Sequence, residues 1–121
     1  MTDLANIKVN FANDSACMEM FLGSVSTTGT MNQDMFMNMQ ETMARAYECC
    51  LQATLSISLA EELHEDTFPP DDLEAMKEKK SRLIRKYIDV DKRLMESSPN
   101  NYTFMSANVA ASNASLIVGP I

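Results

Sequence analysis

Met35, Met37 and Met39 stand two residues apart, the spacing of a copper(I) thioether site, and soft sulfur suits that ion. All three would share one face of a strand, but in a helix Met37 turns away from the other two. The neighbouring residues favour the helix. Met31, Met35, Met39 and Met43 step by four, and the same step continues through Tyr47, Leu51, Leu55, Leu59 and Leu63, none of which is a copper ligand. Packing therefore accounts for more positions than metal does, and the flexible thioethers also suit an adaptable contact surface. The sole histidine, His64, lies in a Glu61-x-x-His64 spacing that di-metal helical bundles use. Such sites need two of these motifs and further carboxylates, which one chain does not supply. Asp89 and Asp91 lack the central Gly and terminal Glu of a calcium loop. No nucleophile–base set or Gly-rich phosphate loop is present, so the expectation is a non-enzymatic protein without metal or cofactor. The three cysteines, with Cys49 and Cys50 adjacent and no Cys-x-x-Cys, read as buried small hydrophobes made in a reducing cytoplasm.

The elements that would position these residues are helical. The 121-residue chain is one domain in length, with only three Gly and four Pro. Thr30 and Gln33 fit a capping box for a first long helix, about 31–65, with Asp34 in its first turn. The four-residue ladder winds round that helix because each step drifts by roughly 40°. Ala44, Ala46, Cys50, Ala53, Ile57 and Ala60 fill much of the rest, and no charge falls between Glu48 and Glu61. A helix apolar nearly all round is one surrounded by partners. Phe68, Pro69 and Pro70 break it, and Asp71 or Asp72 can cap a second helix, about 72–97. There Leu73, Met76, Lys80, Leu83, Tyr87, Val90 and Leu94 form a heptad seam, and Ser98-Pro99 ends it. The pattern predicts an all-α, antiparallel helical hairpin. Residues 1–29 are expected to be an irregular arm, with a short strand over Ile7, Val9 and Phe11 and a short helix over 15–22. Residues 98–121 carry no charge and are expected to be a second arm.

A net charge of −7 opposes general phosphate-backbone binding, which makes nucleic acid a poor partner. The charge-free run Cys49–Ala60 is too short to span a bilayer, and no signal peptide is legible. Seven acids cluster from Glu61 to Glu74, and six bases follow between Lys77 and Lys86. Opposed charges on neighbouring subunits can fix register, and Glu61, Glu65, Lys77, Lys80, Arg82 and Arg85 are the candidates. Lys80 interrupts its seam and is expected to snorkel or to pair with Glu61 or Glu65.

One hairpin covers only one stripe of its first helix. The expectation is therefore a structural subunit of a homo-oligomer or large assembly, such as a virion or secretion filament, with both arms packed on neighbours. Its interface would use Met31, Met35, Met37, Met39, Met43, Leu116, Ile117, Val118 and Ile121. In outline only, an arm followed by two helices joined at a Pro-containing turn resembles the helical-hairpin subunits of secretion needles. The alternative is an acidic helical adaptor that shields a partner's hydrophobic segment with its Met-rich face. In either case the Leu end of the ladder is expected within the hairpin, and the Met end against residues 1–29 or another subunit.

Overall fold

The computed structural model describes residues 4–26, 31–63 and 68–99, and these form three helices with no strand among them. They are α1 (Leu4–Ser24), α2 (Gln33–Glu61) and α3 (Pro70–Glu96). The expected hairpin is present as α2 and α3, but the N-terminal arm is not irregular. The alternation that suggested a strand is half a coincidence: Ile7 and Phe11 are one helical turn apart and buried, whereas Val9 points outward at 56% exposure. With Ser15, Met18 and Leu22 they make a stripe at steps of three and four. No Gly or Pro interrupts the chain before Gly23, so the expected helix over 15–22 extends back to Leu4.

The first cap also differs from expectation. Asn32 caps α2, its side-chain oxygen accepting a hydrogen bond of 2.8 Å from the Met35 amide. Thr30 lies outside the described residues. Pro69 occupies the cap of α3 with Pro70 as first helical residue, where its missing N–H costs nothing. Asp71 and Asp72 fall in the first turn instead of capping it, favourably placed for the helix dipole. At that corner Lys8 of α1 pairs with Asp72 and sits 5.9 Å from the Phe68 ring centroid, tying the start of α1 to the start of α3.

The four-residue ladder is not the core stripe of α2. Phe36, Met43, Ala46, Cys50, Ala53, Ile57 and Ala60 are buried, on steps of three and four that follow one side of the helix. Leu51 and Leu55 lie outside that stripe and are exposed. Ala46, Ala53 and Ala60 recur every seventh residue and let α1 approach closely, which makes the α1–α2 interface the most extensive of the three. Ile7 and Phe11 pack with Ala53, Ile57, Ala60, Phe68 and Met76 at one end of the bundle. Met18 and Leu22 pack with Met31, Phe36, Met43, Leu83, Tyr87 and Leu94 at the other.

Candidate functional site

The five expected contact methionines can be placed from these helices. Met31 and Met43 are buried in the core, and Met39 packs against it with its sulfur 3.4 Å from the Ser26 amide nitrogen. The Met end of the ladder therefore does meet the N-terminal segment. Met35 and Met37 remain 47% and 51% exposed. Leu51 and Leu55 are similarly open at 44% and 53%, so the Leu end is not enclosed by the hairpin, although Leu59 and Leu63 pack at the edge of the core. Met37, Ala44, Leu51 and Ser58 recur every seven residues along the face of α2 turned from α1, with Glu41 and Glu48 between them. Ile88, 39% exposed, follows Tyr87, whose ring lies 6.5 Å from that of Tyr47, one turn before Leu51. Leu116, Ile117, Val118 and Ile121 lie outside the described residues.

Two of the expected register charges pair within the chain. Lys77 bridges to Glu61 at 3.4 Å, joining the end of α2 to α3. Arg82 and Arg85 are exposed, and Glu65 and His64 lie outside the described residues. Lys80 neither snorkels free nor pairs with Glu61. It is 5% exposed, and its ammonium nitrogen has no hydrogen-bond partner. Burial pushes its pKa down, against smaller opposing effects of Cys50 and Glu61. Lys80 stands on α3 between Met76 of one apolar cluster and Leu83 of the other. The Ser15 hydroxyl of α1 and the Thr54 hydroxyl of α2 are also buried without a partner. Burial raises the Cys50 thiol pKa, with Lys80 pulling it back.

A second seam charge, Asp91, went unnoticed in sequence because it reads as a solvated acid one position beyond Val90. It is 7% exposed, between Tyr87 and Leu94, and burial raises its pKa to about 6. Asp91 and Lys80 share one face of α3 but stand eleven residues, about 16 Å, apart along the helix, too far to neutralise each other. The cysteines also depart from expectation: only Cys50 is buried, while Cys49 is half-buried and Cys17 is exposed.

Among the described residues no three His, Cys, Asp or Glu side chains converge as a metal site, and no helix is long and apolar enough to cross a membrane. No family model, curated protein or solved structure matches the chain.

Proposed function

We propose that the protein is a structural subunit of a larger assembly, a homo-oligomer or a component of a particle or filament of virion or secretion type, and not an enzyme. What supports this reading is the outer side of α2. The bundle buries one stripe of that helix against α1 and α3 and leaves Met37, Leu51 and Leu55, which share the opposite side, each about half exposed. Exposed apolar residues that line up on one face can form a protein contact. In this role α1 completes the fold, and the Met37–Leu55 face of α2 meets the neighbouring subunit. The uncharged Leu116, Ile117, Val118 and Ile121 provide further contacts.

Mass under native conditions tests this directly. The expected result is a species larger than the 13.5 kDa chain at micromolar concentration, returning toward monomer in the Leu51→Glu, Leu55→Glu double variant with its helix content intact. A wild-type chain that stays monomeric at that concentration refutes it. The exposed Met35 and Met37 favour one second reading, an adaptor whose thioethers adapt to a partner's apolar segment. For an adaptor, partner binding slows peroxide oxidation of Met35 and Met37; oxidation at one rate with and without partner excludes it.

A further inference from the structure

α1 and α2 run antiparallel, and their register brings two cysteines to one level. The Ser26–Met39 contact marks one end of the pair, and Ile7 and Phe11 share a cluster with Ala53, Ile57 and Ala60 toward the other. Cys17 lies nine residues before Ser26 and Cys49 ten residues after Met39, near-equal separations from that contact. Cys17 directly precedes core Met18, and Cys49 directly precedes core Cys50, so both thiols flank the same seam. The register sets them at one level on one side of that seam. The Cys49 pKa is raised first by burial, then by the charge of the Cys17 thiolate, and after it by Asp14 and Glu48. Cys50 is turned into the core beside Thr54 and Lys80, apart from this pair.

We propose that Cys17 and Cys49 are a latent interhelical disulfide, closed by a small-molecule disulfide and tying the middle of α1 to the middle of α2. The exposed Cys17 thiolate attacks one sulfur of the small disulfide, forming a mixed disulfide and expelling one thiolate. Cys49 then loses its proton to solvent, and its thiolate attacks the Cys17 sulfur, releasing the second. Two protein thiols are oxidised, and one small disulfide is reduced to two thiols, which take up the two protons. The acidic neighbours Asp14 and Glu48 oppose the second thiolate, so closure speeds up as pH rises from about 7 to 8. Closure holds α1 on its seam without touching the outer face of α2.

The full chain, treated with 2-hydroxyethyl disulfide and then alkylated, decides the matter by intact mass and non-reducing peptide mapping. The expected product is a chain two hydrogens lighter, not cross-linked to another, with the peptides of Cys17 and Cys49 linked. Cys50→Ala closes at a similar rate, and Cys17→Ser does not close. The native chain closes more than about tenfold faster than the chain in urea, because the fold holds the thiols together. Cys49–Cys50 linkage, chains cross-linked through Cys17, a lasting adduct on Cys17, or equal rates in native buffer and urea would each overturn the proposal.

Discussion

Replacing Asp91 by Asn should stabilise the protein at neutral pH and do nothing at acidic pH. Asp91 is 7% exposed on the core face of α3, and its pKa is raised from 3.8 to about 6 by burial. Between these values the folded chain keeps a proton that the unfolded chain has lost. Stability therefore falls as pH rises through the window from about 4 to 6, and above it the full cost of burying the charge is present. Two pKa units at about 1.4 kcal/mol each set a ceiling of about 3 kcal/mol. The amide of Asn is still buried and polar, so the expected gain at pH 8 is about 1–3 kcal/mol. At about pH 3 and below, Asp91 is protonated in both the folded and the unfolded chain, and the two proteins should be nearly equally stable. Urea unfolding followed by far-UV circular dichroism, at constant ionic strength across this pH range, measures the difference. Other carboxylates titrate alike in both proteins and cancel. A difference that stays constant with pH, or an Asn variant less stable at pH 8, would refute the reasoning.

The opposite sign holds for Lys80, whose pKa is lowered in the fold. Between its folded value and the ordinary lysine value the unfolded chain holds the extra proton, so stability rises with pH there. Lys80→Met should add about 1–3 kcal/mol at pH 7, and its advantage should shrink as pH approaches 10 in urea titrations. Ala53 is 2% exposed on the face of α2 that receives Ile7 and Phe11. Ala53→Leu should cost about 1–3 kcal/mol through overpacking. Val9→Ala, on the exposed side of α1, should stay within about 0.5 kcal/mol in the same urea assay.

Much of the hairpin is legible in the sequence alone. Phe68-Pro69-Pro70 interrupts backbone hydrogen bonding wherever it occurs, and the seam through Met76, Leu83, Tyr87 and Leu94 repeats at the helical period. Local chemistry sufficed there. α1 was misread because the alternation of Ile7, Val9 and Phe11 satisfies a strand, while Ile7 and Phe11 also satisfy a helix. Only an apolar seam on α2 for them to enter distinguishes the two. α2 has apolar residues on several sides, and its sequence does not say which side faces inward. The small residues Ala46, Ala53 and Ala60 settled that, because α1 can approach closely only where side chains are small. That choice left Leu51 and Leu55 outside.

The expected contact residues divide for the same reason, with Met31 and Met43 filling the core and Met35 and Met37 facing out. The fates of Asp91, Lys80 and the Cys17–Cys49 pair depend on which residues of other helices stand opposite them. Composition and periodicity determine the helical class, the turn and the surplus of apolar residues, since these follow from short-range propensity and spacing. Which residues are enclosed, which charges bear the cost of burial and which thiols meet are decided by the register of one helix against another, a relation between residues far apart in the chain.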